Sequence, residues 1–209
     1  MPEPTPAASP RRTRLNAADR RASILAAATE VFAEAGYQRA KMSDVAGRVG
    51  VSEPVVFQNF GSKAAVFAAV LDTAALRATQ MMREWAAASG STGAWLTQFL
   101  APDHLTQVHA RGTLSVLFSD AMALAADPTI ARAARNANQA VAEVLTELLA
   151  RGQQDGSVRP DLDPATAAWW LLSLLASQGF RHAASSEAER VEAGLAEMTL
   201  RLLTTPERS

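Results

Sequence analysis

The chain has 209 residues, a net charge of −1 and no cysteine. This length is enough for one large or two small domains with a buried core. The lack of cysteine excludes a disulfide framework and a thiolate metal site, and no stretch reaches the roughly 18 uninterrupted apolar residues of a membrane span. The first residues carry arginines with no apolar run after them, which argues against a secretory signal. We therefore expect a soluble, cytoplasmic protein without membrane contacts.

Residues 1–15 are rich in proline and arginine and are expected to form an arm that is disordered when free. Basic arms of this kind can fold over phosphates or enter a minor groove, although a merely solvated tail explains the composition equally well. The arginines in question are Arg11, Arg12 and Arg14.

Charge is unevenly distributed along the chain. Between residues 10 and 63, nine basic residues stand against five acidic ones, a balance of +4 on a chain whose total is −1. A basic amino-terminal quarter on an acidic remainder is typical of a head that binds nucleic acid, carried by a body that does not. Chance alone also produces imbalances of this size.

The first helix is predicted from Asn16 to Ala35, with Asp19 completing a capping-box-like pair and Gly36 ending the helix. Tyr37 follows this stop and is expected to pack against the helical hairpin that comes next, although its hydroxyl could also reach a phosphate. The buried stripe of the helix is formed by Ile24, Ala28, Val31, Phe32 and Ala35.

Residues 41–60 are predicted to form two short helices joined by a tight turn. Apolar residues in the first helix have the i, i+1, i+4 spacing of a buried face. Gly50 can adopt the positive φ that ends a helix, and Ser52 caps the second helix over residues 53–60. This is the layout of a helix-turn-helix. An ordinary helical hairpin with a polar outer face is the alternative.

The second short helix sorts its residues by face. Val56 and Phe60, four positions apart, should point into the domain. The opposite face offers amide side chains, which can bond adenine in a major groove, and a branched apolar side chain, which can touch a thymine methyl group. The residues predicted to read bases are Val55, Gln58 and Asn59.

A long helix is predicted over residues 63–88. Lys63 in its first turn opposes the helix dipole, and a phosphate bound at this amino terminus would explain its placement. At about 1.5 Å per residue the helix is on the order of 40 Å long, enough to link a head to a body.

Three sequence runs at fixed spacing carry a family resemblance: RRASILAAATEVFAEAGY, SDVAGRVGVS and FQNFGSKAAVF. Together they resemble the amino-terminal domain of the TetR family of transcriptional regulators, over about residues 20–71. The resemblance implies an all-helical dimer, in which three helices bind DNA, a fourth links them to a ligand-binding core, and the last two long helices pair across a two-fold axis. Such proteins are usually repressors that release an operator when a small effector binds.

Two departures from the family concern the contacts with double-stranded DNA. Where the family commonly has a pair of hydroxyl residues this chain has Ala40 and Lys41, so Lys41 would substitute by charge. Where the family often has a phosphate-binding tyrosine this chain has Phe57, which offers no donor. Glu53 would repel phosphates unless it accepts from a cytosine amino group. The complete predicted set of DNA contacts is Lys41, Ser43, Ser52, Glu53, Val55, Phe57, Gln58, Asn59 and Lys63.

We divide the chain into a DNA-binding domain over residues 16–77 and a helical effector-binding and dimerisation domain over residues 78–209. The second domain resembles no specific family. Gly152 is expected to end the helix predicted over residues 128–151. The expected fold is all-α, with about nine helices in total. The helices predicted in the second domain span residues 94–101, 104–126 with a break near Gly112, 128–151, 164–184 and 186–203.

The helix over residues 164–184 is apolar nearly all round and must be covered on two sides. We predict that it and the last helix form a symmetric four-helix contact with their copies, so that two heads read a palindrome. A monomeric core that buries both helices is the alternative. The predicted interface residues are Trp170, Leu174, Val191, Leu195, Met198 and Leu202.

An apolar cavity with a few polar points would suit a small apolar or amphipathic effector. His104 and His109 are five residues apart and do not share a helical face as metal pairs do, so neither a metal nor another cofactor is expected. The candidate lining residues, which an ordinary core would also explain, are Trp95, Phe99, His104, His109, Phe118, Met122, Trp169 and Phe180.

Two other classes of protein compete with a DNA-binding regulator. An enzyme is disfavoured because the sequence has no Gly-rich phosphate loop, no nucleophile elbow and no paired His-carboxylate motif. An all-helical protein-interaction module without specific DNA binding is the open alternative.

Overall fold

The computed structural model describes residues 16–108, 114–124 and 126–205, and these ranges form eleven helices. The predicted all-α fold is confirmed. The helices are α1 (Ala17–Arg39), α2 (Met42–Val49), α3 (Glu53–Phe60), α4 (Lys63–Ala88), α5 (Thr92–Phe99), α6 (Pro102–Val108), α7 (Leu114–Ala123), α8 (Pro128–Asp155), α9 (Pro164–Ala176), α10 (Gln178–Ala184) and α11 (Ala188–Leu203).

The difference from about nine helices has two sources. The helix predicted over residues 104–126 corresponds to two described helices, α6, which already begins at Pro102, and α7, and residues 109–113 between them lie outside the described ranges. The helix predicted over residues 164–184 is divided at Ser177, where α9 ends and α10 begins.

Gly152 has a different role from the one expected. It lies inside α8, which continues to Asp155 and is followed by Gly156 in the left-handed conformation. A Cβ atom on Gly152 would lie 2.4 Å from Cγ2 of Val158 and 2.8 Å from Cβ of Thr92. A side chain is therefore excluded there by close packing, and the prediction that Gly152 ends the helix was wrong.

One hydrophobic core, called the head core below, joins helices α1 to α4 to the helical body formed by the rest of the described chain. Residues of α1 to α4 pack together with Leu117 and Ala121 of α7 and with Ile130 of α8. At its centre, the ring of Phe67 lies 4.9 Å, centroid to centroid, from both Phe32 and Tyr37. The ring contacts of Tyr37 are with α1 and α4, and Tyr37 packs against the same core as Val45 and Val56 of the helical hairpin.

Helix α7 docks where α1 is interrupted. Gly36 has φ 73° and ψ 162°, so the regular helix stops there as predicted and a short turn continues to Arg39. The break leaves the Tyr37 N–H without its helical acceptor, and Oδ2 of Asp120 accepts it at 2.6 Å. The same oxygen lies 3.1 Å from where a Cβ on Gly36 would be, so this approach of α7 also needs the glycine.

A second core fills the body. Its largest side chains come from α5 and α8, and α9 and α11 also contribute to it, for example with Leu171 and Leu203. Trp95, Leu96 and Leu145 are fully buried in it.

Arg181 ties the last three helices together. Its Nε donates to Oε1 of Glu192 at 2.6 Å and its Nη2 donates to Oε2 at 2.9 Å, which joins α10 to α11. Nη2 also donates to the carbonyl oxygen of Leu174 in α9, at 2.7 Å. Because both side chains are largely buried, this ion pair is a fixed part of the fold rather than a surface contact.

Candidate nucleic-acid interface

The turn between α2 and α3 has the predicted geometry. Gly50 adopts φ 72° and ψ 37°, the left-handed conformation that glycine tolerates best. The N–H groups of Gly50 and Val51 both donate to the carbonyl oxygen of Ala46, the second at 3.0 Å, so the turn closes the end of α2. Helix α3 begins two residues later with Pro54 in its first turn. The predicted helix-turn-helix is therefore present.

Helix α3 buries one face and exposes the other. Val56 is fully buried and Phe60 packs against the head core, as predicted from their spacing. Glu53, Phe57 and Gln58 are exposed on the outside. The side chain of Gln58 thus projects from a helix whose position is fixed by packing, which suits a group that reads bases.

Asn59 is less available than Gln58. It is half-buried, and its Nδ2 donates to the carbonyl oxygen of Val55, itself half-buried, at 2.7 Å. The amide is therefore engaged with its own helix in the free protein. Asn59 would have to give up this hydrogen bond, worth about 1 kcal/mol, before it could reach a base.

Ser52 occupies the N-cap position of α3, but its hydroxyl makes no capping hydrogen bond within the described ranges. Ser62 at the start of α4 does cap its helix, because its Oγ accepts from the N–H of Ala65 at 3.1 Å. The exposed Ser52 hydroxyl, together with exposed Lys41 and Ser43 at the start of α2, offers donors to a DNA backbone.

Contacts within the protein explain why a lysine stands in the first turn of α4, and the sequence did not predict these contacts. Its Nζ donates to the carbonyl oxygen of Gln38 at 3.3 Å and lies 4.6 Å from the centre of the Tyr37 ring. Burial lowers the pKa of the Lys63 ammonium. A phosphate is therefore not needed to account for a lysine in the first turn of α4.

Arg21 holds the end of α3 against α1 and was also missed. Its Nη1 donates to the carbonyl oxygen of Asn59, and its guanidinium carbon lies 4.0 Å from the centre of the Phe60 ring. A cation at a helix carboxyl end is favoured by the helix dipole. The 38 residues that separate Arg21 from Asn59 leave no signal for this contact in the sequence.

Arg48 fixes α2 to α1. It pairs with Glu30 at 3.0 Å and also with Glu34, and the hydrogen bond from Arg48 lowers the pKa of Glu34. Both glutamates are largely exposed, so these pairs add little stability. They do neutralise one of the cations that make the head basic.

Residues 24–70 match the family described as bacterial regulatory proteins, tetR family, and residues 91–205 match the SbtR-like C-terminal domain of transcriptional regulators. The chain belongs to the TetR family of transcriptional regulators. Its relatives in this family are transcriptional regulators, not enzymes.

Two curated relatives, both named as HTH-type regulators, and one solved structure illustrate the likeness. The transcriptional activator FasR of Mycolicibacterium smegmatis is 47% identical over 70 residues, which cover 33% of this chain and 32% of FasR. The transcriptional repressor Rv1474c of Mycobacterium tuberculosis is 28% identical over 85% of this chain and 90% of its own length. A TetR-family regulator from Cytophaga hutchinsonii has a TM-score of 0.72 at 19% identity, covering 93% of this chain and 100% of that one.

The candidate effector residues are not all brought together. Trp95, Phe99 and His104 form one cluster, with ring centroids 4.8 Å apart for the first pair and 5.7 Å apart for the second. Phe118 packs against the head core instead, and His109 lies outside the described residues. The remaining candidates are exposed on the surface: Met122, Trp169 and Phe180.

The predicted interface residues of this TetR-family chain lie on α9 and α11. Leu174 is buried within the chain, and Val191 and Leu195 are half-buried. Trp170, Met198 and Leu202 are exposed, with 48%, 68% and 40% of their surface accessible, respectively. Arg11, Arg12 and Arg14 lie outside the described residues.

No single helix in the described ranges is both long enough and apolar enough to cross a membrane. Helices α3 and α4 meet that test only as a pair, and they are bent by 66° where they join.

Proposed function

We propose that this chain represses transcription by binding a palindromic operator as a homodimer, and that it leaves the operator when a small effector binds its helical body. The observation that carries the proposal is the exposed face of α3, with Gln58 on a helix anchored by buried Val56. Repression is favoured because the relative that matches over 85% of this chain is a repressor, whereas the activator matches over only 33%.

Base reading is assigned chiefly to Gln58, whose amide can form two hydrogen bonds with adenine. Val55 and Phe57 add apolar surface on the same helix, and Glu53 at its start is suited to accept from a cytosine amino group. Asn59 joins them only if its amide leaves the Val55 carbonyl. Phosphates are assigned to Lys41, Ser43 and Ser52, with Lys63 in a secondary role because it already binds Gln38.

Dimerisation is assigned to the exposed apolar surface of α9, α10 and α11. Trp169, Trp170, Phe180, Met198 and Leu202 are exposed there on the single chain. Apolar side chains gathered in this way usually mark an interface. One head contacts only a few base pairs, so two heads on a two-fold axis are needed to select a site against competing genomic DNA.

The contact between α7 and α1 is suited to link the body to the head. Asp120 of α7 holds the Tyr37 N–H at the break in α1, beside the aromatic centre of the head core. A shift of α7 on effector binding would move this contact and with it the orientation of the head. Coupling between an effector and DNA requires an element that can occupy two positions, and we propose α7 for this role.

Gln58→Ala is expected to weaken binding to the preferred duplex by about 1–3 kcal/mol, because a bidentate base contact is lost. The preferred duplex is first selected from a random pool, and affinities for it and for random DNA are then compared by fluorescence anisotropy at several salt concentrations. Lys41→Ala is the matched control and should weaken both duplexes alike. Equal losses on both duplexes for Gln58→Ala would reject base reading, and a pool that yields no preferred sequence would favour the protein-interaction alternative.

The double substitution Met198→Glu with Leu202→Glu is expected to convert the dimer to a monomer, because charged side chains would be buried without partners in the proposed interface. Sedimentation velocity gives the oligomeric state, and circular dichroism checks that the helices persist. Leu76→Glu alters an exposed apolar residue on α4, outside the proposed interface, and should leave the dimer intact. A wild-type chain that sediments as a monomer would refute this part of the proposal.

A further inference from the structure

Helix α3 is held in place by few contacts of its own. Within the described ranges it has eight residues, of which only Val56 is buried. Isolated helices of this length are marginal in water. At its carboxyl end stands Gly61, which has φ 87° and open space where a side chain would be. The orientation of the exposed face of α3 therefore depends on contacts with neighbouring helices.

Arg21 of α1 supplies such a contact at the carboxyl end of α3. It precedes buried Ile24 and Ala28 by three and seven positions, so it continues the face of α1 that packs in the head core. Its Nη1 donates to the carbonyl oxygen of Asn59, and its guanidinium carbon lies 4.0 Å from the centre of the Phe60 ring. One side chain of α1 thus holds two consecutive residues of α3.

The two contacts need the shape of a guanidinium group as well as its charge. The carbonyl oxygen of Asn59 lies in the last turn of α3, where carbonyl groups lack a partner within the helix and a cation is favoured. A guanidinium group can donate N–H groups in its own plane and place its flat face on a ring. Lysine would keep the charge but has no planar group that makes both contacts.

This contact lies beside the residue to which base reading is chiefly assigned. Gln58 directly precedes Asn59, and the Asn59 amide is itself bound to the Val55 carbonyl oxygen at 2.7 Å. Arg21 therefore holds the turn of α3 from which the Gln58 side chain projects. A group that reads bases must stay within about 0.5 Å of its productive position. Loss of the contact should allow α3 more orientations and make base reading less exact.

We propose that Arg21 is a positioning residue for sequence recognition, which holds α3 against α1 so that Gln58 meets base edges in one orientation. This inference rests on the proposed function, because it requires that α3 reads bases. Arg21 should then affect the discrimination between duplexes more than the affinity for DNA in general. Because Arg21 is exposed, a phosphate contact is the competing role, and that role would change the affinity for all duplexes alike.

The variants Arg21→Met and Arg21→Lys separate these two roles. Selectivity is measured on the full chain by fluorescence anisotropy, as the ratio of the dissociation constants for random DNA and for the preferred duplex. Arg21→Met is expected to lower this ratio about tenfold, and Arg21→Lys about threefold, because lysine restores the charge without the planar group. Equal losses of affinity on both duplexes, with a salt slope reduced by about 1, would overturn the proposal and assign Arg21 to a phosphate.

Arg39→Met is the matched control for Arg21→Met. Arg39 also lies on α1, but its Nε donates to a carbonyl oxygen of the same helix, that of Ala35, at 3.0 Å. The variant loses the same charge from the same domain without removing a described contact to α3. It should leave the selectivity ratio unchanged even where both affinities fall. A loss of selectivity as large as that of Arg21→Met would overturn the specific role of Arg21.

Phe60→Leu tests the ring contact. Leucine keeps an apolar side chain against the head core but offers no ring face to the guanidinium group. The selectivity ratio should fall about threefold. Adding Arg21→Met to Phe60→Leu should lower the ratio by less than Arg21→Met does in the wild-type chain, because both residues act through one contact. Effects that multiply in full would overturn the shared contact.

Amide hydrogen exchange on the free chain distinguishes a failure of this inference from a failure of the proposed function. Arg21→Met is expected to speed exchange over residues 53–61 about fivefold and to leave residues 42–49 unchanged. Unchanged exchange over residues 53–61 would overturn the hold on α3. A wild-type chain without a preferred duplex would contradict the proposed function and the role in selectivity, while faster exchange would still support the hold on α3. A preferred duplex with an unchanged ratio in Arg21→Met would overturn this inference alone.

Discussion

Phe67→Ala is expected to lower the free energy of unfolding by about 3–5 kcal/mol, because it removes a fully buried ring from a packed core. The rings of Phe32 and Tyr37 both lie 4.9 Å from Phe67, and neither can fill the space without leaving its own contacts. Folded domains are stable by only about 5–15 kcal/mol, so the loss is a large share of the total. Urea denaturation at a fixed protein concentration measures it, since self-association would otherwise shift the result.

Leu76→Ala is the matched control for Phe67→Ala. Leu76 lies on the same helix, α4, but 69% of its surface is exposed. Its replacement should change the free energy of unfolding by no more than about 0.5 kcal/mol. A loss for Phe67→Ala as small as that for Leu76→Ala would contradict the view that the aromatic cluster joins the head to the body.

The helix boundaries that could be predicted from the sequence depend on local interactions. Asn16 accepts from the N–H of Asp19 at 2.8 Å, and Asp127 accepts from the N–H of Thr129 at 2.8 Å. The residues involved are at most three apart, so their identity and order predict the contact. The turn at Gly50 is of the same kind, because glycine is suited to the left-handed conformation that the turn needs.

Contacts between distant parts of the chain could not be predicted in this way. The sequence shows that Lys63 opposes a helix dipole, but not that Gln38 and Tyr37 lie within its reach. It shows an asparagine on the outer face of α3, but not that the amide folds back onto Val55. In both cases the polar side chain forms a hydrogen bond within the protein, whereas the sequence predicted a contact with DNA.

Aromatic residues in the body illustrate a second limit. The sequence makes Trp95 and Phe180 candidates for one pocket because both are large and apolar. In the fold, Trp95 is fully buried and Phe180 is 73% exposed. Apolar character predicts burial against something, but only the arrangement of helices decides whether that is the core of the chain, a ligand or a second copy.

Arg181→Met is expected to lower the free energy of unfolding by about 3–5 kcal/mol, because it leaves the buried carboxylate of Glu192 without its partner. The guanidinium also loses its hydrogen bond to the Leu174 carbonyl oxygen, so all three carboxyl-terminal helices lose a shared contact. Denaturant unfolding near neutral pH measures the loss. Arg190→Met is the control, because Arg190 pairs with Glu187 on the surface and its loss should cost no more than about 1 kcal/mol.

The double variant Arg181→Met with Glu192→Leu separates charge from packing. If the cost of Arg181→Met comes from an unpaired buried charge, removing the carboxylate as well should restore most of the lost stability, because two apolar side chains of similar volume then fill the same space. If the cost comes from the shape of the arginine or from its bond to Leu174, the second substitution should add a further loss. Restored stability would show that the ion pair holds α10 to α11 in position without being needed for the stability of the fold.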